Sequence, residues 1–146
     1  MQNAQTQKTK SKKIFLICPV RNADPKIQEF LSKYVRRVEK LGHKIHYPPR
    51  NTNQIDPIGL RICTDNREAI RNSDEVHIFF DPTSQGTLFD IGMTFQLEKP
   101  IRLINRHKLQ FTEKKSFQNV LMTLHDKYSN ERRELFRSQK QKLKIA

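Results

Sequence analysis

Four short, β-prone apolar runs recur along the chain: KIFLIC at 13–18, KIHY at 44–47, VHIFF at 76–80 and IRLIN at 101–105. Segments of helical spacing lie between them. This alternation constrains the fold more than any other feature, because strands that alternate with helices pack as a parallel sheet covered on both faces and joined by right-handed crossovers. Runs that are apolar at nearly every position suit strands buried from both sides.

The first intervening helix is the clearest. Asp24-Pro25 supplies a cap and a first-turn proline, Ile27, Phe30, Leu31, Tyr34, Val35, Val38 and Leu41 follow at helical spacing, and Gly42 stands just past the end. A second helix is expected from about Thr64 to Asn72, a third along Leu88, Ile91, Gly92 and Phe95, and a fourth through Phe117, Val120, Leu121, Leu124 and Tyr128. Pro48-Pro49 halts the second strand, and NTNQIDPIG at 51–59 has the composition of a long loop. The fold class is therefore α/β, a flavodoxin-like or Rossmann-like three-layer sandwich with four to five parallel strands. In a flavodoxin-like order, strands one and three lie side by side at the switch point. The loops CPVRNADP and DPTSQGT then meet in the crevice where open α/β sheets bind ligands.

A chain of 146 residues, 35% hydrophobic, holds one domain with a real core. Its net charge of +13 sits mostly at the ends. Residues 1–13 carry four lysines and no acid, and residues 129–146 carry six basic against two acidic residues. The chain divides accordingly. Residues 1–12 form a basic tail expected to be disordered, 13–128 the folded domain, and 129–146 a basic tail that can extend the last helix on a weak stripe of Leu135, Phe136 and Leu143. Such tails can hold nucleic-acid phosphates without sequence preference. IFLIC is too short for a signal peptide or a membrane span, so a soluble cytoplasmic protein with no membrane contact is expected. Cys18 and Cys63, each among apolar residues, read as reduced core thiols rather than a disulfide.

The stretch DPTSQGTLFDIGM at 81–93 turns from strand to helix. The helix-opening residues Ser84, Gln85, Gly86 and Thr87 point free N–H groups and the positive end of a dipole at the crevice, which suits an anion such as phosphate. An ordinary N-cap with a turn glycine fits the same residues. Arg21, on the neighbouring loop, either forks onto that phosphate or is a solvated loop arginine. Asp90 lies one helical turn beyond Gly86, flanked by Leu88, Phe89, Ile91 and Gly92, all expected to be buried. A carboxylate there is costly unless paired or used, and the alternative is an Asp on the helix surface.

The motif S-x-G-x-x-x-D-x-G-M-x-F at 84–95, preceded by a strand and by A-I-R-x-S-D-E-V from Ala69 to Val76, resembles the nucleoside 2-deoxyribosyltransferase family and its relatives, the nucleoside 5′-monophosphate N-glycosidases. The likeness runs from about Lys13 to Asn105. It implies a flavodoxin-like fold and a carboxylate that attacks the anomeric carbon of a nucleoside or nucleotide, so that a glycosyl-enzyme passes to another base or to water. By position it makes Asp90 the nucleophile, Ser84 and Gly86 with Thr87 the 5′-phosphate turn, Arg21 a phosphate ligand, and Asp65 or Asn66 the group that orients sugar or base. It implies no cofactor and a homo-oligomer. The sequence departs from the family pattern at three places: Asp90 stands where Glu is usual, Asn66 where an Asp is expected, and Phe15 where a tyrosine hydroxyl is often found. A non-catalytic nucleotide-binding or sensing module of the same fold is the alternative.

The loop YPPRNTNQIDP at 47–57 offers a wall for the base, with Tyr47 as a stacking face and Arg50, Asn53 and Asp56 as polar contacts; a plain proline-shaped surface loop fits equally. His43 and His46 fall on opposite faces of a strand, and His77, His107 and His125 are scattered, so no metal is assigned.

Overall fold

The structure, a computed structural model, describes residues 10–145. The expected N-terminal tail falls largely on residues 1–9, outside the described residues. Four parallel strands form one sheet: β1 (Lys13–Ile17), β2 (Lys44–His46), β3 (Glu75–Ile78) and β4 (Ile101–Leu103), in the order β2-β1-β3-β4. Strands one and three are neighbours, as the switch-point argument requires.

Both faces of the sheet are covered, which gives the α/β three-layer architecture. Alternating side chains of β1 serve two cores: Phe15 and Ile17 pack with Ile70, Val76, Ile78 and Ile91, while Ile14 and Leu16 pack with Leu31, Tyr34, Val35 and Val38. The second core lies under α1 (Pro25–Lys40), whose N-terminus is closed by the Asp24 carboxylate accepting from Lys26 N–H at 2.8 Å. Gly42 follows at φ +93°, a left-handed conformation that glycine adopts without strain.

A short helix, α2 (Pro48–Asn51), occupies the start of the segment read as loop. Proline at the first helical positions lacks only an N–H that would have no partner there anyway, so Pro48-Pro49 begins a helical turn as well as halting a strand. The next helix, α3 (Leu60–Arg71), starts four residues earlier than the expected Thr64. The Asp56 carboxylate makes this possible by accepting from Ile58 and Ile62 N–H, both at 3.2 Å. Two helices follow later in the chain, α4 (Gln85–Gln96) and α5 (Phe117–Ile145). The last continues unbroken through the basic tail.

β4 is an edge strand, and α5 protects it. The His125 ring accepts the free Leu103 N–H at 2.9 Å, so the open side of the strand is partly occupied. β3 ends at Ile78 rather than Phe80, yet Phe79 and Phe80 stay buried. The buried Asn105 side chain explains this: its amide group accepts from Phe80 N–H at 3.0 Å and donates to Phe80 C=O at 2.9 Å, replacing a strand partner. It thereby fixes the backbone from which the 81–87 turn departs. Cys18 is in the core, whereas Cys63, in the first turn of α3, is only half-buried; both are free.

Candidate active site

β1 and β3 pair over four residues, so the loop carrying Arg21 and the turn carrying Ser84, Gly86 and Thr87 leave the same edge of the sheet from adjacent strands. Arg21 is exposed and pairs with no acid among the described residues. The Ser84 hydroxyl caps α4 by accepting from Thr87 N–H at 3.3 Å. That bond satisfies one of the helix's orphan donors and leaves the N–H groups of Gln85 and Gly86 at the open end. A Cβ added at Gly86 would meet nothing within 4 Å, so the space before the helix is clear. Thr87 is 1% exposed, and its hydroxyl has no hydrogen-bond partner among the described residues. Such a buried hydroxyl is uncommon in a settled structure.

Asp90 lies on α4, and Asn66 of α3 meets it. Asn66 Nδ2 donates to Asp90 Oδ2 at 3.3 Å. Behind Asn66, Thr52 Oγ1 donates to Asn66 Oδ1 at 2.9 Å and faces His46 Nε2 at 2.8 Å. The hydroxyl hydrogen is committed to Asn66, so His46 Nε2 carries the hydrogen in its bond to Thr52. The chain His46–Thr52–Asn66–Asp90 thus fixes which end of the Asn66 amide faces the carboxylate. The Phe15 ring stacks on His46 with centroids 5.1 Å apart, holding the far end of the chain in place.

Burial pushes the Asp90 carboxyl up to about 7 from its usual 3.8, and the Asn66 hydrogen bond only partly offsets the rise. The same charge reaches both thiols. Burial first, and Asp90 second, push Cys18 up to about 12, and Cys63 rises for the same reasons. Both are thiols, not thiolates, at neutral pH. Burial and the nearby Arg50 charge lower His46, which keeps its ring neutral.

The structure separates the two residues proposed to orient a sugar. Asn66 is buried against Asp90, whereas Asp65 is exposed and pairs with Arg61 at 3.1 Å on its own helix. Two neighbours of Asp90 expected to be buried are not: Phe89 is 58% exposed and Gly92 is also open, because they face away from the sheet. In the 47–57 segment, three polar side chains are engaged in structural contacts: Arg50 ties the segment to α1, and Asn53 and Asp56 serve the chain just after them. Arg50 pairs with Glu39 at 2.6 Å, Asn53 accepts from Ile55 N–H at 2.9 Å, and Asp56 opens α3. Tyr47 packs half-buried against the second core. The burial of Thr52 within a polar loop and of Asn105 after a strand carried no periodic signal, and neither was singled out from the sequence.

Among the described residues, no three His, Cys, Asp or Glu side chains converge as a metal site would require. No described helix is long and apolar enough to cross a membrane.

No protein-family model matches the sequence, and no curated protein is significantly similar to it. Among solved structures, the chain matches a 2-deoxyribosyltransferase from the psychrotolerant bacterium Bacillus psychrosaccharolyticus with a TM-score of 0.54 and 22% identity, over 62% of this chain and 70% of that one. It also matches a CMP N-glycosidase from Clostridium botulinum with a TM-score of 0.49 and 21% identity, over 79% of this chain and 81% of that one. In fold, the chain is similar to a 2-deoxyribosyltransferase, a member of the family that its 84–95 motif resembles.

Proposed function

We propose that this protein cleaves the N-glycosidic bond of a nucleoside or nucleoside 5′-monophosphate, or transfers its deoxyribosyl group, with Asp90 as nucleophile. The observation that carries this reading is the Asn66–Asp90 contact: a largely desolvated carboxylate, oriented by a fixed amide, one turn inside a helix whose open N-terminus faces the crevice. In the ionised form, an Asp90 oxygen attacks C1′. The C1′–N bond breaks, its electron pair leaves with the base, and the resulting glycosyl ester is attacked by water or by a second base to restore the carboxylate. Asn66 holds the attacking oxygen in line. Arg21, the Ser84 hydroxyl and the Gly86 N–H form the phosphate cradle, with the Thr87 side chain buried behind them, and no cofactor enters the scheme.

A homo-oligomer belongs to the same proposal. Phe89 and Phe95 stand 58% and 63% exposed on the helix that carries Asp90, an apolar surface that a second copy would cover. Sedimentation showing only monomer at working concentration would remove this part.

The test is incubation with a panel of ribo- and deoxynucleosides and their 5′-monophosphates, with free base followed by chromatography and melting temperature followed in parallel. Base release that disappears in Asp90→Ala supports the enzyme. A rise in melting temperature without base release favours the non-catalytic nucleotide-binding module, for which the shorter Asp90 carboxylate is the motivating feature. Neither response to any compound would remove both readings.

A further inference from the structure

A second charged cavity lies away from Asp90. It is an open cleft of about 340 Å³, lined by Arg102 of β4 and by Ser129, Arg132, Arg133, Phe136 and Arg137 of α5. Neighbours of Arg102 on β4, Ile101 and Leu103, pack into the same core as Ile91 of α4. Side chains alternate along a strand, so Arg102 faces the other side of the sheet, toward Tyr34 and its register partner His77. The cavity and Asp90 are therefore served by opposite faces.

Four guanidinium groups converge here with little to offset them. Glu75 is the carboxylate that reaches them, 3.9 Å from Arg132, and it is already engaged by Lys12 at 3.3 Å and by His77 at 2.9 Å. Arg102, Arg133 and Arg137 pair with no acid among the described residues. Arg37, above the Tyr34 ring at 5.3 Å, adds more positive charge nearby. Like charges gathered in a concave, partly desolvated space repel one another, and a bound anion removes that cost.

We propose that this cavity is a binding site for a compact polyphosphate, such as the phosphate chain of a nucleoside di- or triphosphate, separate from the candidate active site. Charge decides against a single phosphate, because one group at about −1.5 to −2 would leave roughly half of the four positive charges uncompensated. Arginine forks match the paired oxygens of successive phosphoryl groups. Arg133 and Arg137 are one helical turn apart and present two forks in a row from a single rigid element. A concave cavity walled by Phe136 favours a compact ligand over an extended nucleic-acid backbone.

The experiment is isothermal titration calorimetry of the full chain with inorganic tripolyphosphate, with orthophosphate and a single-stranded oligothymidylate as parallel arms at equal ionic strength. Saturable tripolyphosphate binding at submillimolar concentration is expected, at least about tenfold tighter than orthophosphate. The exposed double variant Arg133→Gln/Arg137→Gln should weaken it by about tenfold or more, as should Arg102→Gln, while Asp90→Asn should leave it unchanged. Equal tripolyphosphate affinity in wild type and both arginine variants overturns the proposal. So does the absence of saturable binding, or tighter binding of the oligonucleotide than of tripolyphosphate at equal phosphate concentration.

Discussion

Asn66 Nδ2 donates to Asp90 Oδ2 across 3.3 Å, and this contact between residues 24 apart in sequence joins two helices at the point where the candidate chemistry lies. The contact favours the ionised carboxylate, whereas burial of the same group favours the neutral acid, and burial wins. Much of the protein's measurable behaviour near neutral pH follows from that balance.

Base release should depend on pH through Asp90. Attack requires the carboxylate, so the rate is expected to rise with pH and level off above a midpoint near 7. Asn66→Ala removes the contact that lowers the value, and the midpoint should move to higher pH. A pH–rate profile of wild type and variant checks both; a midpoint near 4 in wild type would contradict the burial argument.

Stability should show the opposite trend. The folded-state value of Asp90 lies above the usual 3.8, so the ionised form is penalised in the folded protein; the penalty sets in as pH climbs past about 4 and is complete above about 7. Asp90→Asn avoids it and can still accept from Asn66. The variant should be more stable than wild type by on the order of 2–4 kcal/mol at pH 8, and close to it at pH 4. Urea denaturation at the two pH values measures the difference, and it should accompany complete loss of base release.

Thr52→Val tests the relay behind Asn66. The substitution keeps shape but leaves Asn66 Oδ1 and His46 Nε2 without their buried partner, at a cost of about 1–3 kcal/mol. A structural role alone would move only the denaturation midpoint. Release of the Asn66 amide should also lower kcat more than it raises KM and shift the pH–rate midpoint upward.

On the other face, Tyr34 and His77 form a buried pair at 2.6 Å, and His77 bonds Glu75 at 2.9 Å. Burial lowers His77, which stays neutral, with Nδ1 accepting from the Tyr34 hydroxyl and Nε2 donating to Glu75. Burial would raise Glu75, but the His77 hydrogen bond and the Lys12 ammonium hold it below the usual glutamate range. Tyr34→Phe should therefore destabilise the fold by about 1–3 kcal/mol in chemical denaturation without affecting base release.

The sequence by itself determined the architecture. Apolar runs at KIFLIC, KIHY, VHIFF and IRLIN, separated by helical spacing, specify strands and helices because burial of a side chain depends on local periodicity. They also specify the meeting of the first and third loops, since a parallel sheet with right-handed crossovers leaves few orders available. The strand-to-helix turn at Ser84 and the helix that follows it were legible for the same reason: they belong to one local segment. Only the tertiary structure decided which of Asp65 and Asn66 faces Asp90, that Thr52 and His46 stand behind Asn66, and that Arg50 is tied to α1 while Asn53 and Asp56 hold their own segment. It also decided that α5 continues to Ile145 and brings three arginines to Arg102. Each of these depends on residues distant in sequence becoming neighbours in space. The strength of a hydrogen bond or charge is set by those neighbours and by exclusion of water, and neither is written in the spacing of any single segment.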